Sequence, residues 1–430
     1  MNAVSTVTPQ RAASITGARN WAEVRSAHPE QVDAMADGLM VGDPAADAAI
    51  AEMLSGEGWS WSQIIAAVDD PSSGADAPPA LRRVLDQASH TPPWFDPAVA
   101  RAGAEAWWRF GSLQSSTLYQ SLIYGYQARG FTRPLVETGR FTEGTWDRVV
   151  ATGRWVTLAT APGMMEPGKP GWSQTLRIRL VHAIVRHHLR TAEKWDDERW
   201  GVPINQTYSQ LTITAGFLVL PLRVAKDLGI HYSRAELEAI THLWRWIGWV
   251  MGVDEHRLPT SFADARRTDH IGREFHLTPP EESKLLVQAL LDDGYRTDLR
   301  LPKPLNNAVH RLSRPFLRTL FASVSTRWVD DEVAAAMGLR STPLHHLVAL
   351  ARPVVRSREM ARGAGLLGSE RTVANRELHR VTTQLGIDLG NIMSTRYDAA
   401  DTGHLETVAR PPASPFARNS TAVPRPRGIC

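Results

Sequence analysis

Apolar residues recur every three to four positions over Ala45 to Met53, Trp59 to Val68, Val99 to Gln114, Trp146 to Thr160, Leu176 to Thr191, Leu211 to Leu228, Ser233 to Val253, Glu281 to Leu291, Leu305 to Phe321 and Asp330 to Met337. This is the spacing of a single buried helical face. No alternating runs joined by Asn-Gly or Asp-Gly turns lie between these segments, so strands are not predicted. The pattern predicts an all-α fold. Its breaks fall at Asp70 to Pro79, Pro162 to Gly171 and around Pro259, each rich in Pro, Gly or Ser.

One predicted helix departs from a plain core pattern. In LRIRLVHAIVRHHL, from Leu176 to Leu189, Arg179, His182 and Arg186 stand at i, i+3 and i+7 and form one stripe, while Leu180, Val181, Ile184 and Val185 supply apolar surface. Two permanent positive charges disfavour the protonated imidazole, and burial acts in the same direction, so His182 is expected to be neutral. A neutral imidazole is the form that ligates a metal, and paired arginines suit the carboxylates of an anionic cofactor. A haem has both parts, an iron and two propionates. The plainer alternative is a satisfied core histidine beside a solvated helix edge. His187 and His188 do not share the face of His182 and read as polar edge residues.

A second face lies in WDRVVATGRWVTLAT, from Trp146 to Thr160. Arg148, Thr152 and Trp155 fall at i, i+4 and i+7 and present a cationic donor, a hydroxyl and an aromatic wall. Facing a cofactor, Arg148 would stabilise an oxyanion or a bound oxygen species and Thr152 would donate a hydrogen bond to it. An ordinary amphipathic helix is the alternative. Asn205, after Pro203, reads as a helix or turn cap. Trp244, Trp246, Trp249 and Met251 are bulky apolar material for a core or for an apolar pocket.

Composition narrows the field. With 43% apolar and 22% charged residues, the chain is globular, and its 430 residues are enough for a large core. The net charge is only +3, and no basic block interleaved with aromatics marks a nucleic-acid surface. The only cysteine is Cys430, which excludes a disulfide framework, a thiolate-ligated haem and a cysteine zinc site. HExxH, GxSxG and Walker patterns are missing. The first twenty residues show no apolar targeting core, and no apolar run reaches the ~20 residues of a spanning helix. A cytoplasmic protein with no evident protein partner is expected.

Taken together the motifs resemble the oxygenase family of bacterial latex-clearing proteins (rubber oxygenases) and fungal MpaB-type oxygenases. The resemblance rests on Arg179-x-x-His182-x-x-x-Arg186 within VHAIVR, W…GVPIN from Trp200 to Asn205, and WRWIGWVMGV followed by LP ending at Pro259. WFDP at Trp94 to Pro97, ETGRF at Glu137 to Phe141, and Arg148-x-x-x-Thr152 extend it upstream. It implies a globin-like helical core with additional helices at both ends. It also implies haem b with His182 as proximal iron ligand, Arg179 and Arg186 flanking it, and Arg148 and Thr152 on the distal side. Dioxygen and an apolar, unsaturated, isoprenoid-like molecule are the implied substrates. Where rubber oxygenases carry a distal lysine, this chain has Ala151, so closure of the iron by an amine is not expected.

The expected organisation is a helical extension over 1–90, a haem-binding oxygenase domain over 91–345, a helical segment over 346–409 and a disordered tail over 410–430. A non-catalytic haem sensor or carrier, or a helical protein without a cofactor, are the competing readings of the same residues.

Overall fold

The computed structural model describes residues 7–139, 144–294 and 302–385. The expected tail over 410–430, the residues after 385 of the segment before it, and the last two residues of ETGRF lie outside the described residues. Helices account for the regular structure, and among the described residues there is no strand.

Many helices start by the same local rule. Pro9–Thr16, Pro29–Gly38, Pro44–Ser55, Pro79–Ser89, Pro97–Trp107 and Pro170–Thr191 all begin with proline, whose missing N–H and fixed φ suit a first helical position. Thr8, Asp43 and Asp96 stand immediately before three of them, and their side chains accept from free backbone N–H groups of the first turn.

The long helices then pack in pairs. Arg234–Val250 lies along Pro97–Trp107, close enough that a Cβ at Gly103 would run into the Ala239 carbonyl. Thr145–Thr160 lies against Pro170–Thr191, which also packs on Pro44–Ser55. One apolar core joins Ala46, Ile50 and Val68 to Trp155, Trp172, Leu176, Trp244 and Trp246, so residues before 90 share it with the centre of the chain. Two of its buried indoles bond to backbone, Trp172 Nε1 donating to Ala88 O (3.1 Å) and Trp246 Nε1 to Met165 O (2.9 Å), while the buried Nε1 groups of Trp107 and Trp244 have no partner among the described residues. Trp244 and Trp246 are therefore core residues rather than pocket lining.

Two predicted helices are not single elements. The one expected over Val99 to Gln114 ends at Trp107, tightens into a 3-10 turn over Trp108–Leu113, and is broken at Gly111. Gly111 has φ 59°, and a Cβ there would press on the Glu377 carboxylate. Gln114 instead opens the helix Gln114–Gly125. The stretch expected over Leu211 to Leu228 is helical in three registers: Gln206–Leu211 is α, Thr212–Val219 is π, and Leu220–Leu228 is α again. Pro221 cannot donate to the preceding turn, and Leu220 N–H reaches back five residues to Ala215 O, so the helix continues through a wider turn.

Candidate functional site

The Pro170–Thr191 helix presents His182 between two unlike flanks. Arg179 and Arg186, nearly completely buried, stand on one side, and Ile178, Val181 and Val185, aliphatic and only partly covered, stand on the other. His182 is partly buried and makes no hydrogen bond among the described residues. Burial, reinforced by Arg186 and opposed by Asp43, pushes its pKa down to about 4. The imidazole is therefore neutral at pH 7, as expected, but burial is the main cause and only Arg186 of the two arginines adds to it.

Both arginines reach residues that come from far up the chain. Arg179 forms a two-pronged pair with Asp43, Nε to Oδ2 at 2.6 Å and Nη2 to Oδ1 at 3.1 Å. Its remaining nitrogen donates to the Gln87 side chain and to Val250 O. Arg186 Nε donates to Asp47 Oδ1 at 2.7 Å and Nη1 to Ile204 O at 3.3 Å. Arg186 Nη2 is buried with no partner.

The two carboxylates are shifted in opposite directions. Burial works to raise the Asp43 carboxyl, but the charge and hydrogen bonds of Arg179 outweigh it, and its pKa lies below the ordinary value. At Asp47 burial prevails over Arg186, and the pKa is raised. Asp43 also caps its own helix by accepting from Ala46 N (3.2 Å).

Arg179, His182, Arg186, Asp43, Gln206 and Ser209 line one polar pocket of about 10 Å³, roughly the ~10–15 Å³ that one water requires. Backbone around it is held tightly. Gln206 Nε2 donates to Gly42 O and Gly252 O, both at 2.9 Å, and Gln206 Oε1 accepts from Asp254 N. Gly252 has φ 87°, and a Cβ there would collide with the Arg179–Asp43 pair. Ile204, whose carbonyl receives Arg186, sits at φ 49°, an unfavourable region for a β-branched residue. Asn205 caps the next helix through Tyr208 N (3.1 Å), as its place after proline suggested.

Arg148 and Thr152 lie one turn apart on the neighbouring Thr145–Thr160 helix, which packs on the His182 helix. Both are partly buried, and neither lines the pocket of His182. The Arg148 guanidinium lies against the Tyr126 hydroxyl and also reaches Thr145 Oγ1 (3.4 Å). Burial raises the Tyr126 pKa and Arg148 opposes that rise. Thr152 Oγ1 donates to Arg148 O at 2.8 Å, which leaves its lone pairs available. Ala151 beside it is exposed.

Sequence reading did not single out Asp43, Asp47, Gln206, Gly252 or Tyr126. Asp43-Pro44 carries a recognisable cap signal, but nothing local indicates which arginine it meets. Among the described residues no three His, Cys, Asp or Glu side chains gather to cage a metal ion. The glycine spacing of a dinucleotide-binding turn does occur at Gly363, Gly365 and Gly368. It closes the Leu347–Gly363 helix with no strand before it, so the context of that fingerprint is lacking. No helix of the described residues is long and apolar enough to cross a membrane.

Fold and site thus define an all-helical protein with a partly buried, neutral histidine between two buried arginines. Residues 107–362 match the family described as "ER-bound oxygenase mpaB/B'/Rubber oxygenase, catalytic domain". The chain belongs to this family and is an oxygenase. It is 23% identical over 295 residues to a rubber oxygenase of a Streptomyces species, covering 67% of each chain. The structure of latex clearing protein LCP in its closed state superposes with a TM-score of 0.59 at 21% identity, covering 80% of this chain and 91% of that one, and shows the same fold.

Proposed function

We propose that the protein is a haem b oxygenase that oxidises or cleaves a C=C bond of an apolar, isoprenoid-like small molecule, with His182 as the iron ligand. The observation that carries this reading is a neutral histidine without a hydrogen-bond partner, one turn from a buried Arg186 whose Nη2 has no acceptor. Those residues fit the group. A porphyrin supplies four nitrogens of its own, so one imidazole suffices for the iron. The orphaned guanidinium donor suits an acid side chain, and Ile178, Val181 and Val185 offer a half-covered apolar surface.

When bound, the haem would supply the redox chemistry toward dioxygen. The chain's own residues do the rest. Burial and the charge of Arg186, fixed by Asp47, hold the second proton off His182, while Arg179 is fixed by Asp43 on the same flank. Arg148, braced by Tyr126, presents a permanent donor, and Thr152 adds a hydroxyl whose own proton is directed to Arg148 O. Arg148 would polarise an oxygen atom placed against this helix, and Thr152 would join it only by turning its proton away from Arg148 O. An apolar substrate is supported by the aliphatic flank of His182 and by the rubber oxygenase relative.

A pyridine haemochrome assay on purified protein tests the reading, with about one haem b per chain expected. His182→Ala should lose the haem. Arg148→Ala should keep it and lose turnover, measured as oxygen uptake with an unsaturated isoprenoid. Full haem retention by His182→Ala would sink the ligand assignment, and full activity of Arg148→Ala would remove its role.

A further inference from the structure

A second cavity, of about 50 Å³, lies beside the π-helical turn Thr212–Val219 and apart from the pocket of His182. Leu122, Phe131, Leu211, Ala215 and Phe217 form its apolar walls, and Gly125, Gly216 and Gly272 border it. Its four hydroxyls are committed to protein partners. Ser121 donates to Thr117 O (2.9 Å), Tyr124 to Asp269 Oδ1 (2.6 Å) and Thr212 to Tyr208 O (2.7 Å). Tyr208 OH faces His276 Nε2 at 3.4 Å, and His276 Nδ1 lies 2.5 Å from Gly272 O. A carbonyl only accepts, so Nδ1 carries the ring proton, and Nε2 is left to accept from Tyr208.

Volume and chemistry together narrow the occupant. The space is several times the ~10–15 Å³ that one water needs. Gln127 also lines it, and a hydroxyl that has given its proton can still accept, so a few polar atoms stay on its rim; the walls themselves are mostly apolar and favour an apolar guest. An apolar cavity takes up apolar guests, and one of about 150 Å³ accepts benzene or xenon; this one is partly open, which gives a guest a way in. A third of that volume suits something smaller than a six-carbon ring.

Gly216 keeps this space open. A Cβ there would have no neighbour nearer than Leu211 O at 4.0 Å, and the backbone φ is not in the left-handed region, so nothing in the local geometry demands glycine. Glycine inside a helix gives up roughly 0.5–1 kcal/mol relative to alanine. A buried, unneeded glycine in a π turn, a feature common at functional sites, therefore points to the cavity itself. One lining residue separates the cavity from the helix of Arg148 and Thr152: the Phe217 ring meets Trp155 edge-on at 5.2 Å, and Gly125, which borders the cavity, precedes Tyr126, which holds Arg148.

We propose that this cavity is a holding site for dioxygen, the small apolar co-substrate of the oxygenase, one packing layer from the helix of Arg148 and Thr152. The inference rests on the oxygenase reading of the His182 site, but its binding test needs neither haem nor turnover. Xenon is the probe, followed by NMR titration of the full chain with and without haem, on the wild type, Gly216→Ala and Gly216→Leu. Xenon should bind the wild type, bind more weakly to Gly216→Ala and be excluded by Gly216→Leu. The KM for oxygen should rise several-fold in Gly216→Leu, with haem content and KM for the organic substrate unchanged. If Gly216→Leu does not fold, the weakened xenon binding of Gly216→Ala decides the matter. Absence of xenon binding in the wild type, or binding that survives both substitutions, overturns the proposal. A rise in KM for the organic substrate in place of oxygen overturns it as well, because the occupant is then the hydrocarbon chain. Failure of the haem reading would be seen separately, as a missing haemochrome.

Discussion

Replacing Asp43 by alanine leaves the buried Arg179 guanidinium without its counter-charge. The pair is nearly fully enclosed, with side-chain exposures of 4% for Arg179 and 9% for Asp43, so solvent cannot take the place of the lost carboxylate. Removing one partner of such a pair costs about 3–5 kcal/mol. Loss of the cap on Ala46 N adds about 1 kcal/mol. Against a usual stability of about 5–15 kcal/mol, the total of roughly 4–6 kcal/mol is a large fraction. Urea unfolding followed by tryptophan fluorescence would measure it. Asp43→Asn retains the cap and should lie between the wild type and Asp43→Ala. The double variant Asp43→Ala with Arg179→Met should be more stable than Asp43→Ala alone, because the stranded charge has gone. As a control, Glu166→Ala breaks a half-exposed pair with Arg101 (3.3 Å) and should cost less than ~1 kcal/mol. The reasoning is refuted if Asp43→Ala is no worse than this control, or if the Asp43 and Arg179 effects simply add.

Other consequences are equally open to measurement. Burial lowers His276 from 6.5 to about 4, and His182 likewise, so the unfolded chain binds more protons between those values. Stability should therefore fall as pH drops from about 6.5 to about 4, and His276→Gln should flatten that slope in urea titrations at stepped pH. Below about 4, protonation of Asp43 should add a further loss, because its carboxyl is held under its ordinary 3.8. Gly252→Ala should destabilise by more than ~2 kcal/mol, combining a left-handed φ of 87° with collision against the Arg179–Asp43 pair; an unchanged thermal midpoint would contradict that geometry.

What the sequence disclosed follows the reach of its interactions. The His182 helix, its two arginines and the Asn205 cap were legible because each depends on spacing within a few residues. The break at Gly111 was not, since the room that keeps this position a glycine is bounded by the Glu377 carboxylate, 266 positions further along the chain. Nor was the π turn, because TITAGFLV is buried along its whole length apart from Thr212 and offers no polar face from which to read a period. The carboxylates of the site stayed hidden for the same reason as Gly111. Asp43 meets Arg179 across 136 positions, and Asp47 meets Arg186 across 139. Short-range pattern reveals that an arginine is present, while only the fold reveals what it holds.

The segment shared with the family begins at residue 107, yet Asp43 and Asp47 lie well before it. A gene trimmed to the shared segment would encode two interior guanidinium groups with their counter-ions deleted. In descent, too, position 43 is not free to drift alone: a lineage that loses the aspartate must replace Arg179 in the same step or tolerate a crippled intermediate. Positions 43 and 179, and more loosely 47 and 186, should thus change in concert when related sequences are aligned.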